Sequence, residues 1–186
     1  YDIRKARKYI RIAALNGNVD AMNKYGLIMR DDANYDEAVK YFKMAIDKGH
    51  AAAMNNYAFM LENGEGIPKN PSEAVKYYKM SINNNYVSAA NNYANMLRRG
   101  NGIDVNYEEA IKYYKMGIDL GCAESMHSYA YMLENGFGIE VDTKEALRYY
   151  KMAHDKGYTR SAHLYISLLQ KSKEPNQSQE LIDYLK

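Results

Sequence analysis

The segment Glu73-Ala74-Val75-Lys76-Tyr77-Tyr78-Lys79-Met80 decides the fold, because close copies of it recur along the chain every 36 residues. The other copies are Glu37-Ala38-Val39-Lys40-Tyr41-Phe42-Lys43-Met44, Glu109-Ala110-Ile111-Lys112-Tyr113-Tyr114-Lys115-Met116 and Glu145-Ala146-Leu147-Arg148-Tyr149-Tyr150-Lys151-Met152. A second series keeps the same spacing and consists of Tyr57-Ala58, Tyr93-Ala94 and Tyr129-Ala130. A fixed period of this size indicates a repeat architecture, in which stacked units share a continuous core.

Each repeat is predicted to form two helices, A and B. Helix A lies near 19–30, 51–62, 87–98, 123–134 and 159–170, and helix B near 34–48, 71–84, 107–120 and 142–156. In helix A the Tyr, the next residue and the Leu four residues after the Tyr share one face, which we expect to pack. In helix B we expect the first Tyr and the Met of each copy to pack; these are Tyr41, Tyr77, Tyr113, Tyr149, Met44, Met80, Met116 and Met152.

A capping box is predicted at the start of each helix B. The side chain of an Asn or Asp accepts a hydrogen bond from a backbone amide of the first turn, and a Glu three residues later reaches back to the N–H of that Asn or Asp. The pairs are Asn34 with Glu37, Asn70 with Glu73, Asn106 with Glu109, and Asp142 with Glu145.

Three loops between helix A and helix B carry Gly-x-Gly: Gly64-Glu65-Gly66, Gly100-Asn101-Gly102 and Gly136-Phe137-Gly138. Such glycines can form a left-handed helix cap and a tight turn, or they can cradle a phosphate. A phosphate loop needs a strand before the glycines and a helix that begins at them. A helix precedes them here, so the sequence favours the cap.

These patterns predict an all-α fold, a right-handed α/α superhelical solenoid of about eleven helices. We expect a single domain over 1–186, with a lone leading helix in 1–16, repeats in 17–48, 49–84, 85–120 and 121–156, and a degenerate terminal repeat in 157–186 that ends in a short helix near 177–186. Because residue 1 is a Tyr rather than a Met, we expect the chain to be a fragment of a longer protein.

Charge, hydropathy and cysteine content narrow the function classes. The chain has 25 basic and 23 acidic side chains, so we expect no basic surface for nucleic acid. No apolar run approaches the length of a bilayer span, so we expect no membrane insertion. The single cysteine, Cys122, cannot form an internal disulfide. This favours the cytoplasm, with the endoplasmic reticulum lumen or secretion as the alternative.

No catalytic, cofactor or metal site is predicted. His127 and His163 occupy equivalent positions one repeat apart. Packed helix axes lie about 8–10 Å apart, whereas zinc needs nitrogens about 2 Å from one ion, and no Cys or His cluster supplies further ligands. No nucleophile-elbow motif is present, and one Cys with scattered His does not define a catalytic pair. We therefore expect a non-enzymatic protein without a cofactor.

The combined motif resembles the Sel-like repeat (SLR), a relative of the tetratricopeptide repeat. It reads Ala-x-x-x-Tyr-Ala-x-x-Leu-x-x-Gly-x-Gly-Ile, then a polar linker, then Glu-Ala-x-x-Tyr-Tyr-x-x-Ala/Ser-x-x-x-Gly. The resemblance covers essentially the whole chain, although the family often has Leu-Gly where this chain has Tyr-Ala. It implies a scaffold or adaptor that binds other proteins or peptides; the sequence leaves the oligomeric state open.

A partner-binding groove is predicted along the polar side of the A helices, on the concave wall of the solenoid. An Asn amide both donates and accepts, so it can pair with any peptide backbone, and Phe59 and Tyr131 would supply apolar anchors. The predicted binding residues are Asn23, Asn55, Asn56, Phe59, Glu62, Asn91, Asn92, Asn95, Arg98, His127, Tyr131 and Glu134.

Three other hypotheses stay open. The polar wall can be merely solvated, since Asn is abundant along the whole chain. The repeats can be a spacer inside a larger protein, or a regulatory region attached to an enzyme domain outside this chain.

Overall fold

The computed structural model describes residues 3–171, which form ten α-helices and no strand. The chain divides into two compact units, Tyr1–Val105 (unit 1) and Asn106–Lys186 (unit 2). Unit 1 contains α1 (Ile3–Leu15), α2 (Val19–Asp31), α3 (Tyr35–Ile46), α4 (Ala51–Asn63), α5 (Pro71–Asn83) and α6 (Val87–Arg99). Unit 2 contains α7 (Tyr107–Asp119), α8 (Ala123–Asn135), α9 (Thr143–Asp155) and α10 (Arg160–Lys171). The eleventh helix, predicted near 177–186, lies outside the described residues.

Helices of types A and B alternate, and within each unit an A helix packs on the B helix that follows it. In unit 1 these pairs are α2 with α3 and α4 with α5, and in unit 2 the pair is α8 with α9. Small residues such as Ala58 and Ala74 are fully buried in these pairs. Gly26 replaces the Ala in α2, where a Cβ would lie 2.7 Å from the ring of Phe42.

The second aromatic residue of each helix B fills the core, rather than the first. Phe42, Tyr78, Tyr114 and Tyr150 have no exposed surface. This position lies four residues after the buried Ala of the same helix, on one face with it. The packing predicted for the first Tyr is right for Tyr41, which is also buried.

The other helix B residues that we expected to pack lie nearer the surface. Tyr77, Tyr113 and Tyr149 are only half-buried, and Met80 and Met116 are exposed, so the prediction is wrong for these two methionines. The rings of Tyr77 and Tyr149 nevertheless contact an A helix, with centroids 5.0 and 5.1 Å from those of Tyr57 and Tyr129. Because successive residues of a helix point about 100° apart, the first Tyr lies beside the helix contact that the second aromatic residue fills. The methionines that fill the core belong instead to the A helices; they are Met60, Met96 and Met132.

Three of the four predicted N-caps form. The side chains of Asn70, Asn106 and Asp142 each accept a hydrogen bond from the N–H three residues later, at 3.2, 2.9 and 2.9 Å. The cap predicted at Asn34 is wrong: its side chain makes no cap hydrogen bond, and its Nδ2 lies 3.9 Å from Sδ of Met29. The loop before α3 spans only 32–34, so Asn34 is held in a different backbone conformation.

The second bond of the predicted capping box, from the backbone N–H of the Asn or Asp to the Glu side chain, is also wrong at Asn70 and Asp142. The N–H groups of Asn70 and Asp142 donate to the carbonyls of Leu61 and Leu133 in the preceding A helix, at 2.9 and 3.1 Å. The start of helix B is therefore bonded to the end of its own helix A rather than to the Glu of the box.

The two glycines of each Gly-x-Gly loop have different roles. Gly64, Gly100 and Gly136 end their A helices in the left-handed region, which confirms the predicted caps. The second glycine permits close contact with the first residue of the preceding helix B. A Cβ at these sites would lie 1.9 Å from Cγ of Tyr35, 2.2 Å from Cγ of Pro71 and 2.3 Å from Cβ of Tyr107, for Gly66, Gly102 and Gly138 respectively. Each of these loops thus lies against the preceding helix B.

We expect Gly102→Ala to destabilise the protein more than Gly49→Ala. Both glycines have a left-handed backbone, with φ of +78° and +80°, so both substitutions introduce similar backbone strain, about 1–2 kcal/mol. Only Gly102 faces Pro71, whereas a Cβ at Gly49 meets nothing within 4 Å. Overpacking against Pro71 should therefore increase the loss in free energy of unfolding by about 1–3 kcal/mol at Gly102. Urea denaturation of the two variants measures this difference. Equal losses would contradict a tight contact between the loop and α5.

Removing the cap at Asn70 should cost stability, while the same change at Asn34 should not. Asn70→Ala removes the hydrogen bond to the N–H of Glu73 and should lower the free energy of unfolding by about 1 kcal/mol. Asn34→Ala removes no cap bond and is the matched control in the same unit. If the two variants lose equal stability in denaturant titrations, the assignment of the caps is incorrect.

Candidate functional site

The predicted partner-binding residues all lie on A helices. In unit 1, α4 contacts both α2 and α6, so the A helices form a continuous row. Unit 1 holds Asn23, Asn55, Asn56, Phe59, Glu62, Asn91, Asn92, Asn95 and Arg98, and unit 2 holds His127, Tyr131 and Glu134.

Four asparagines of unit 1 form a chain of side-chain hydrogen bonds, which we term the asparagine relay. Nδ2 of Asn92 donates to Oδ1 of Asn55 at 2.9 Å, Nδ2 of Asn55 donates to Oδ1 of Asn56 at 3.5 Å, and Nδ2 of Asn56 donates to Oδ1 of Asn23 at 2.9 Å. The relay therefore crosses from α6 through α4 to α2. All three bonds have the same donor-to-acceptor direction.

The relay explains why asparagines that were predicted to face a partner protein can lie buried inside this one. Asn23 and Asn55 are buried, as is Asn91, while Asn56 and Asn92 are half-buried. A buried amide without a partner would cost about 1–3 kcal/mol. Mutual hydrogen bonding removes this cost and fixes the orientation of the two half-buried amides.

The exposed part of this row contains an aromatic side chain. Phe59 follows Asn56 by one helical turn on α4, and Asn95 follows Asn92 in the same way on α6. Phe59 is 41% exposed, and Asn95 is half-buried. We term the surface formed by Asn56, Phe59, Asn92 and Asn95 the A-helix face of unit 1.

Glu62 lies inside the protein rather than on this face. Its Oε2 accepts a 2.7 Å hydrogen bond from the hydroxyl of Tyr78, and its Oε1 accepts a 3.0 Å bond from Nδ2 of Asn101. Lys69 in turn donates to Oδ1 of Asn101, so two loops of unit 1 meet at this carboxylate. Burial, followed by the charge of Glu62, raises the pKa of Tyr78 well above its usual value.

In unit 2, Glu134 makes the equivalent bond, because its Oε2 accepts from the hydroxyl of Tyr150 at 2.8 Å. Burial, together with the bond to Glu134, raises the pKa of Tyr150. Tyr131 packs near Phe137, with ring centroids 5.8 Å apart, and Phe137 lies 5.6 Å from Tyr107. These contacts hold Tyr131 in an aromatic cluster within unit 2.

The environment of His127 is that of a packed side chain. Its Nδ1 is 2.9 Å from Oγ of Ser161, and its ring centroid lies 5.4 and 5.0 Å from those of Tyr150 and Tyr158. Burial, and then the charge of Arg160, lower the pKa of His127. His163 is exposed.

Within residues 3–171, no three His, Cys, Asp or Glu side chains are grouped so that they could hold a metal ion. Cys122 is buried, its Sγ lies 3.2 Å from Oε2 of Glu124, and burial raises the pKa of its thiol. None of the ten described helices combines the length and the apolar character needed to cross a bilayer.

The repeats match a known family along most of the chain. A family model described as Sel1 repeat matches residues 1–18, 19–50, 51–86, 87–122 and 123–158. The chain belongs to the Sel1 repeat family.

Solved structures support the same assignment. A Sel1 repeat protein from Oxalobacter formigenes is 25% identical, with a TM-score of 0.81 over 97% of this chain and 76% of that one. The protein c5321, described as a protective antigen of uropathogenic Escherichia coli strains with an SLR fold, is 22% identical, with a TM-score of 0.74 over 89% of this chain. This chain spans 36% of the c5321 structure. A comparison with curated proteins finds no match. The predicted all-α solenoid fold is confirmed.

The sequence analysis of this Sel1 repeat protein did not predict several side chains that contact the candidate site residues. Tyr78 and Tyr150 hold the predicted Glu62 and Glu134, and the repeated Tyr-Tyr pair was the available signal. Asn101 and Phe137 are the middle residues of two Gly-x-Gly loops. Their roles depend on contacts between repeats, which sequence spacing does not reveal.

Above about pH 10, we expect the stability of this Sel1 repeat protein to fall as pH rises, partly because of Tyr78. In the unfolded state the phenol titrates near its usual pKa of about 10, whereas the folded state retains the proton because the pKa is raised. The unfolded state then binds fewer protons, so the free energy of unfolding decreases by about 1.4 kcal/mol per pH unit for one such group.

The matched variant is Tyr78→Phe, which cannot titrate. It should be less stable at pH 7, by about 1–3 kcal/mol, because Glu62 loses a buried donor. Its stability should also fall less steeply than that of the wild type between about pH 9 and 11, the range around the usual tyrosine pKa, measured by urea titration. Identical slopes would exclude a buried, protonated Tyr78.

Proposed function

We propose that this Sel1 repeat protein is a non-enzymatic interaction module that holds an extended segment of a partner protein along the A-helix face of unit 1. Family membership supports the general role, because Sel1 repeat proteins generally serve as protein-interaction scaffolds and their fold is typically non-catalytic. The observation that carries the specific proposal is the asparagine relay with Phe59 beside it.

The relay supports peptide binding because its amides are already oriented. Binding is weakened when flexible side chains must be ordered, so side chains held in place before the partner arrives favour affinity. Among the described residues, Oδ1 of Asn92 and Nδ2 of Asn23 have no protein partner, so the relay ends in an acceptor on α6 and a donor on α2. A peptide backbone offers the complementary donor and acceptor without requiring a particular sequence.

Phe59 supports the proposal as the apolar anchor. Aromatic side chains are enriched among the residues that contribute most to binding. Phe59 retains 41% exposure in a helix whose other large apolar side chains, Met54, Tyr57, Met60 and Leu61, are buried. In this proposal Asn56, Asn92 and Asn95 contact the partner, while Asn23, Asn55, Asn91 and Glu62 support them from inside.

A photo-crosslinking amino acid at position 59 should capture a partner protein, while one at position 80 should not. Met80 is the matched control, because it is 42% exposed and also belongs to unit 1 but lies on a helix of type B, α5. The cross-linked protein is identified by mass spectrometry and produced in pure form.

Binding of that pure protein then tests the anchor. Phe59→Ala should weaken its affinity at least tenfold and Met80→Ala should not, while both variants keep the melting temperature of the wild type because both side chains are exposed. Equal capture at the two positions, or unchanged affinity of Phe59→Ala for the partner, would show that the partner does not bind the A-helix face.

A further inference from the structure

The A-helix face of unit 1 repeats its chemistry from one A helix to the next. Asn56 on α4 and Asn92 on α6 occupy equivalent repeat positions, and each donates through Nδ2 to an Asn of the preceding A helix at 2.9 Å. Cα atoms of α4 and α6 approach within 8 Å, as they do in helices packed side by side with axes about 8–10 Å apart. A ligand that crosses the face therefore meets the same amide about every 8–10 Å.

Both amides keep a hydrogen-bond donor for a ligand. An amide nitrogen carries two N–H groups, and in Asn56 and Asn92 one of the two makes the relay bond. Among the described residues, neither nitrogen has a second acceptor. Because both side chains are only half-buried, the remaining N–H can reach a ligand on the face. The face thus offers a row of N–H donors, one on each of these A helices.

The spacing of this row matches a polyproline II backbone. This conformation has three residues per turn and a rise of about 3.1 Å, so equivalent carbonyls recur about every 9 Å. In a β-strand, equivalent groups recur every two residues, or roughly 7 Å, and an α-helix uses most of its carbonyls in internal hydrogen bonds. Of the three regular conformations, polyproline II is therefore the one whose carbonyls can bond to Asn56 and Asn92 in the same way.

The polarity of the face also fits a chain that is rich in proline. Proline lacks a backbone N–H and offers only a carbonyl acceptor, which is complementary to a row of N–H donors. Phe59 is 41% exposed and lies one helical turn from Asn56 on α4, and proline-rich segments characteristically dock against aromatic side chains. Proline also restricts the free peptide, so less conformational freedom is lost on binding.

We propose that the occupant of the A-helix face is a proline-rich segment of another protein in the polyproline II conformation. Carbonyls three residues apart accept hydrogen bonds from Asn56 and Asn92, and a proline ring packs on Phe59. The inference rests on the proposed function, because it specifies the class of partner for the same surface.

A titration of isotope-labelled protein with a capped peptide of nine prolines, followed by NMR, tests this assignment. Nine prolines span about 28 Å, enough to cross α4 and α6. The side-chain amide signals of Asn56 and Asn92 should shift in a saturable manner. The amide signal of Asn84 should not, because its Nδ2 bonds to the carbonyl of Met80 at 2.9 Å, outside the A-helix face.

Two control peptides separate the backbone conformation from the number of carbonyls. A capped peptide of three prolines is too short to bond to both amides. A capped Gly-Ser peptide of nine residues has as many carbonyls as the nonaproline but behaves as a flexible coil. Both peptides should bind at least tenfold more weakly than the nonaproline.

A pair of asparagine variants tests the donors. Asn92→Ala should weaken the affinity for the nonaproline at least tenfold, whereas Asn84→Ala should leave it unchanged. The melting temperatures of both variants are measured alongside. If Asn92→Ala does not fold, the amide shifts of the wild type decide.

Absence of amide shifts in the wild type, or equal affinity for the nonaproline and the Gly-Ser peptide, overturns the proposal. A partner that is cross-linked at position 59 through a segment without proline also overturns it, but leaves the proposed function intact. Failure of the proposed function itself gives a different result, namely equal capture of proteins at positions 59 and 80.

Discussion

In the helix pairs of this protein, a large aromatic side chain of helix B is enclosed between helices that approach closely through alanine and glycine. Tyr78 illustrates the arrangement, because its hydroxyl bonds to Glu62 of α4 and its ring lies 6.4 Å from that of Tyr93 on α6. The ring thus links one repeat to the next, and the small residues around it leave the space that it fills. In the pair formed by α2 and α3, Phe42 takes the position of Tyr78. Its ring fits there because Gly26 has no Cβ.

This packing determines which polar groups are drawn inside. A buried phenol requires a hydrogen-bond partner, and Glu62 and Glu134 supply it from the A helices of their respective units. The need for a hydrogen-bond partner also accounts for the asparagine relay. Amides between the closely packed A helices lose contact with water, so they bond to one another instead. Charged and amide side chains that resemble binding residues in the sequence therefore act partly as structural ones.

The surfaces left for other molecules are those that the repeats do not cover themselves. On the A-helix face of unit 1, Asn56 and Asn92 are held in orientation from inside while Phe59 remains exposed. This combination of oriented amides and an exposed aromatic side chain is the one on which the proposed function rests, because amides can pair with a peptide backbone and an aromatic ring can act as an apolar anchor.

The sequence alone determined the repeat period, the helix pairs, the left-handed glycines after the A helices and three of the four N-caps, because each depends on residues that are neighbours in the chain. Tertiary structure decided the rest: which Tyr of each pair is buried, why the second glycine of a loop must lack a Cβ, and which asparagines and glutamates face inward. Those outcomes depend on how closely one helix approaches another, and on which polar atoms lose contact with water when it does. Spacing along one helix carries no information about either quantity.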